Sequence, residues 1–280
     1  MTAISLEPSL ATTLSDVRRQ AHHAAQFATA AGISYLPHEP DDSHTNLEWI
    51  APLGALASHL VPAPTPFRLA IRILDLTLLV LDVNSENLSA FSLHAHTIAE
   101  AAAWIRACTS ELGADGREYT LTRHYVIPAH PVGDGAPFDA GDRARLEQLS
   151  AWFSCAAAVL EPIRRATPGA SDVRCWPHHF DTATLIDLGS GRSVGVGLEP
   201  GDVYYDEPYF YVNMRPEPSL SVTAVPLDGR GSWHTQEWIG AVLPGSRLTT
   251  GEGQRAQIDG FLRSAVTRAR SLVSARPRHE

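Results

Sequence analysis

Apolar and polar positions alternate along this chain with two different periods, and the switches between them mark out the elements. From about Leu10 to Ala31 the apolar spacing is near 3.6 and alanine is abundant, which predicts a helix ending at Gly32. A polar loop, Pro37–Trp49, follows, and then the stiff connection Val61–Thr65. Phe67–Val83 is rich in leucine and β-branched residues and reads as two strands or one bent strand, with Asp75 at the break; Leu88–Leu93 is a further strand. Thr97–Leu112 is a helix with Ile98, Ala102, Ile105 and Cys108 on one side and Gly113 at its stop. Tyr119–Ile127 predicts another strand, and Arg143–Arg165 a long helix closed by Pro168-Gly169. Arg174–Met214 holds three short runs of strand character. Ser219–Pro226 and Gly229–Pro244 are less regular, and Gln254–Ala275 is an amphipathic helix with a basic tail.

Strands and helices mix without a β-α-β rhythm, so the expected class is α+β with an antiparallel sheet flanked by helices. The expected organisation is a single domain over residues 1–280. Both halves (1–137 and 138–280) run strands and then a helix, which allows a weak internal duplication.

Composition narrows the function. The chain has 280 residues, 44% hydrophobic content and a net charge of −9, enough apolar material for a substantial core. The acidic balance argues against a nucleic-acid surface, which needs clustered cations. No run of about eighteen apolar residues suggests a membrane span, and the first twenty residues lack a secretory pattern, so a cytoplasmic location is expected. Cys108, Cys155 and Cys175 are odd in number and far apart, which favours free thiols. The sequence has no lysine, so every cationic side chain other than histidine is arginine. That excludes an internal aldimine with pyridoxal phosphate, a phosphate-binding P-loop lysine and a Tyr-Lys dehydrogenase pair. H-E-x-x-H and C-x-x-C are absent too. Gly251-Glu-Gly253-Gln-Arg-Ala256 matches a dinucleotide fingerprint only superficially, because no strand precedes it.

The densest chemistry lies in Arg174–Met214. Strand alternation puts Pro208, Phe210, Val212 and Met214 on one face and Glu207, Tyr209, Tyr211 and Asn213 on the other. Val194, Val196 and Leu198 oppose Ser193, Gly195, Gly197 and Glu199 in the same way. After Pro177, His179, Asp181 and Ala183 share a side, while Phe180 and Ile186 share the opposite one. If the apolar faces pack on helices, a polar face collects His179, Asp181, Glu207, Tyr209 and Tyr211, with the glycines leaving backbone bare for a ligand. A solvated sheet face lined by tyrosines is the competing reading.

His178, His179, Asp181, Glu207 and Tyr209 are therefore the candidate catalytic groups. The first four are also candidate ligands for a divalent metal such as zinc, iron or manganese. Without metal, they could supply a histidine–carboxylate acid–base pair. His44, Trp176, Tyr211, Trp233 and His234 are candidate substrate-binding residues. The expected partner is a small polar metabolite. A non-catalytic small-molecule binding protein and a structural module with hydrogen-bonded histidines remain alternatives. Trp176-Pro177-His178-His179-Phe180-Asp181, Pro200-Gly201-Asp202 and Glu207-Pro208-Tyr209-Phe210-Tyr211-Val212 resemble motifs of a bacterial protein family with no assigned activity. Its members also carry an Asp-Asp-Ser-His loop like Asp41–His44 and a Trp-His pair like Trp233-His234. The resemblance would span most of the chain and implies no mechanism.

Overall fold

The computed structural model describes residues 6–219 and 225–274. The chain is α+β, with antiparallel sheets and helices. It divides into two compact units: Leu14–Ser150 with Arg174–Phe180, and Met1–Thr13 with Ala151–Val173 and Asp181–Glu280. They are called the N-unit and the C-unit below. Among the described residues no helix is long and apolar enough to cross a membrane.

The N-unit begins with α1 (Ser15–Tyr35) and a five-stranded antiparallel meander. Its strands are β1 (Glu48–Ile50), β2 (Ala55–Ala57), β3 (Arg68–Arg72), β4 (Thr77–Leu81) and β5 (Asn87–Ser92), paired in sequence order. Helix α1 packs on β3 and β2 and is buried along most of its length. The expected break near Asp75 is a single turn, Ile73–Asp75, tied by a two-pronged Arg72–Asp75 ion pair. Helix α2 (Ile98–Glu111) starts where expected. Thr97 and Glu100 form a reciprocal cap in which each satisfies the other's backbone N–H.

Two expectations in this unit are corrected. Gly32 does not stop α1, which runs on to Tyr35. The glycine is there because the His44 carbonyl comes so close that a Cβ would lie 2.1 Å from it. Tyr119–Ile127 is not a strand. Its groups bond elsewhere: the Tyr119 hydroxyl donates to the Phe27 carbonyl at 2.9 Å, and the Thr120 N–H donates to Ser34 Oγ at 3.0 Å. The segment is thereby fastened to α1 instead of to a sheet edge.

The C-unit repeats the succession of helix, antiparallel strands and helix. Most of α3 (Arg143–Ala166) leads in, and α4 (Gly253–Ser274) closes it. Between them come β7 (Asp181–Gly189), β8 (Arg192–Glu199), β9 (Tyr209–Arg215), β10 (Ser232–His234) and β11 (Gly240–Pro244), in the spatial order β10-β11-β9-β8-β7. β7, β8 and β9 are adjacent and antiparallel, as the alternation predicts. Val194, Val196, Leu198, Phe210 and Val212 are buried, and α4 packs along β8 and β9 with Phe261 and Leu262 buried. The region read as irregular supplies β10 and β11, whose ladder pairs Trp233 with Ala241. Residues 220–224, the end of the last predicted helix and the basic tail lie outside the described residues.

Candidate functional site

β6 (Arg174–Trp176) comes late in the sequence but belongs to the N-unit. Cys175 and Leu47 exchange both backbone hydrogen bonds, at 2.8 and 2.9 Å, which fixes β6 just beyond the Asp41–His44 loop. The chain then reverses. Phe180 N–H donates to the Trp176 carbonyl at 2.6 Å, and Phe180 takes a left-handed backbone with φ of 70°. His178 and His179 therefore sit in a turn and not on a strand, so the two-residue spacing of His179 and Asp181 does not place them on one strand face.

Helix α1 pins this turn from within. The His22 ring stacks on Phe180 with centroids 4.9 Å apart and planes at 6°, and its Nε2–H donates to the Pro177 carbonyl at 2.8 Å. Gln26 Nε2 donates to the same carbonyl at 3.2 Å, and Gln26 Oε1 accepts from the Tyr125 hydroxyl at 2.8 Å. Burial drives the His22 pKa down to about 3, so that ring is neutral.

His178 projects from this support among other rings. His179 lies at 4.4 Å, Tyr125 at 5.9 Å and Trp176 at 6.1 Å, centroid to centroid. Beside it, His124 Nε2 pairs with Asp42 Oδ2 at 2.9 Å. Asp42 stands in the Asp-Asp-Ser-His loop with φ of 60°. The loop is held by an Asx-type bond from Ser43 N–H to Asp41 and by His59 Nε2 against the Ser43 carbonyl at 3.0 Å. Burial, and then electrostatic coupling to the neighbouring His179 ring, pull the His178 pKa down to about 4, while the Asp42 carboxylate pulls the other way. His178 is partly buried, and among the described residues no hydrogen bond engages it. His44 turns back on its own loop: Nδ1 accepts the Glu39 N–H at 3.2 Å and the ring lies 5.1 Å from His38. Asp42, His124 and Tyr125 are not among the candidate site residues that the sequence offers. Asp42 sits in a loop that drew notice for His44, and nothing local to His124-Tyr125 signals that it meets residues 176–179.

The other candidates lie in the C-unit. On the polar face of its sheet the Tyr211 hydroxyl donates to Asp181 across β8 in a short hydrogen bond, and Tyr209 donates to Asp202 at 2.8 Å. The Tyr205 hydroxyl meets His234 Nδ1 at 3.0 Å, and His234 Nε2–H donates to the Gln236 carbonyl at 2.7 Å. Desolvation, reinforced by nearby carboxylates, raises the Tyr209 and Tyr211 phenols far above their usual range and keeps them neutral. Gly195 and Gly197 do not leave bare backbone. Asn213 covers the first and the Tyr211 ring covers the second. Glu207 precedes β9, and its carboxylate accepts both the N–H and the hydroxyl of Ser246 at 2.6 and 2.9 Å. Trp233 donates its indole N–H to the Val225 carbonyl at 2.7 Å.

The predicted set thus divides: His178, His179, Trp176 and His44 belong to the N-unit, and Asp181, Glu207, Tyr209, Tyr211, Trp233 and His234 to the C-unit. Among the described residues no group of three or more His, Cys, Asp and Glu side chains is arranged to hold a metal ion. Comparison with protein-family models, with curated proteins and with solved structures gave no match.

Proposed function

We propose that this protein is an enzyme acting by proton transfer on a small polar metabolite, with His178 as the accepting base and the Asp42–His124 pair as its charged neighbour. One observation carries the reading. His178 is a neutral imidazole with no hydrogen-bond partner among the described residues, set between Trp176 and Tyr125 beside an ionisable His–Asp couple. His22 and His234, by contrast, have ring nitrogens committed to backbone or tyrosine groups. A base must have a free lone pair within reach of the substrate, and a partly exposed ring between aromatic walls offers one. When His178 takes a proton, the Asp42 carboxylate offsets the new charge. His124, bonded to Asp42, holds that carboxylate in place and can relay a proton to solvent.

The reaction class is testable before the substrate is known. The protein is incubated in D2O with a panel of small oxo- and hydroxy-carboxylates, and deuterium incorporation at carbon is followed by NMR. Exchange into one member, reduced about 100-fold or more in His178→Ala with unchanged circular dichroism, supports the proposal. Exchange indifferent to His178→Ala and Asp42→Asn, or no exchange with any member, rejects it. Near-stoichiometric zinc, iron or manganese in protein purified without chelator or tag, and lost in His178→Ala, would replace it with metal-assisted chemistry. Specific binding of a metabolite with no turnover would favour the binding-protein alternative.

A further inference from the structure

A cavity of about 210 Å³ lies within the N-unit, lined by His23, Gln26 and Phe27 of α1, Ile98 of α2, Leu121, Arg123 and Gly133. We propose that it seats a small monocarboxylate with a short hydrocarbon body, whose carboxylate is held by Arg123. The arginine is the decisive group. Arg68, Arg72, Arg117 and Arg255 face the carboxylates of Glu48, Asp75, Asp115 and Asp259 at 2.7–2.8 Å. Arg123 is partly buried, and among the described residues it has neither an ion pair nor a hydrogen bond. Its planar fork is left open toward the cavity and matches one carboxylate bidentately. Burial lowers the proton affinity of His23 on the cavity wall, and the Arg123 charge adds a smaller effect in the same direction.

The remaining groups select the ligand class. Phe27, Ile98 and Leu121 give apolar walls that favour a hydrocarbon body. Gln26 cannot supply donors, because its amide nitrogen already serves the His22 and Pro177 carbonyls at 3.1 and 3.2 Å. His23 Nε2 is engaged with the Pro128 carbonyl at 3.1 Å, so the neutral ring offers only a lone pair. One cation and no spare donor suit a monoanion and leave a phosphate dianion short of partners. Gly133 keeps the wall flat, since a Cβ there would stand 2.8 Å from the His23 ring. The site rests on Arg123 and its cavity and is independent of the acid–base reading. Gln26 links the two, because it lines the cavity and also holds Tyr125 against His178.

Binding of butanoate, butanamide and inorganic phosphate to the full chain is measured by calorimetry and by ligand-observed NMR. Butanoate should bind, butanamide and phosphate at least about 10-fold more weakly. Arg123→Gln should weaken butanoate by about 10- to 100-fold, the loss expected for charged hydrogen bonds. Leu121→Trp keeps the charge but fills the space and should also abolish binding, which guards against a fold defect in the first variant. His178→Ala should leave butanoate binding intact, so failure of the acid–base reading and failure of this site are told apart. Equal binding of the amide, tighter binding of phosphate, or undiminished butanoate binding by Arg123→Gln overturns the proposal.

Discussion

The ring of Tyr211 on β9 lies flat over Gly197 on β8, so close that a Cβ at residue 197 would sit 2.7 Å from three of its ring and hydroxyl atoms. The glycine makes room for the tyrosine, and the tyrosine then reaches past it to Asp181. Gly197→Ala should therefore destabilise the chain by about 1–3 kcal/mol through overpacking. Urea unfolding of Gly197→Ala, Tyr211→Ala and the double variant tests this: in the double variant the alanine at 197 should cost almost nothing.

Gly32 sets propensity against packing. Within α1, alanine is worth about 1 kcal/mol over glycine. The His44 carbonyl stands 2.1 Å from where its Cβ would go, and that neighbour is backbone, which cannot rotate away. Packing wins, so Gly32→Ala should lower stability by more than about 1 kcal/mol instead of raising it. A gain in the urea midpoint would contradict the assigned contact.

His22 sets an acid limit. Its folded pKa is about 3 against 6.5 when unexposed to burial, so between those values the unfolded chain binds a proton that the folded chain does not. Stability at this residue is complete above about pH 6.5, falls as pH drops, and stops falling near pH 3. The slope at full effect is about 1.4 kcal/mol per pH unit. His22→Phe should remove up to that much slope from the stability profile between pH 4 and 6. The Pro177 carbonyl keeps its bond from Gln26, so the variant should still fold.

The sheet tyrosines act at the other end of the scale. Desolvation raises the Tyr209 and Tyr211 phenols, so the folded state holds their protons after the unfolded chain has released its own near pH 10. Their stabilising contribution is complete below pH 10 and declines as pH rises above it. Tyr211→Phe should lower stability at pH 7 by about 1–3 kcal/mol, because the buried Asp181 loses a donor, and should make the alkaline decline shallower. Denaturant titrations at pH 8, 10 and 11 read both effects.

Periodicity by itself determined the α+β class, the four long helices to within a few residues, and the antiparallel run β7-β8-β9 with its apolar and polar faces. Those follow from local rules: a 3.6-residue stripe, a two-residue alternation, and a capping pair such as Thr97 and Glu100. Only tertiary structure could decide what each polar or small residue was for. Gly32 looked like a stop and is a contact. Gly195 and Gly197 looked like openings and are covered by Asn213 and Tyr211. Tyr119–Ile127 has strand composition but spends its hydrogen bonds on α1, and composition does not reveal which partner a backbone group finds. His178 and Asp42 are 136 positions apart in sequence and share a neighbourhood because Cys175 pairs with Leu47. His179 and Asp181 are two apart and lie in different compact units because the chain turns at Phe180. Spacing along the chain fixes a shared face only while the strand continues, and the left-handed residue at Phe180 is where it does not.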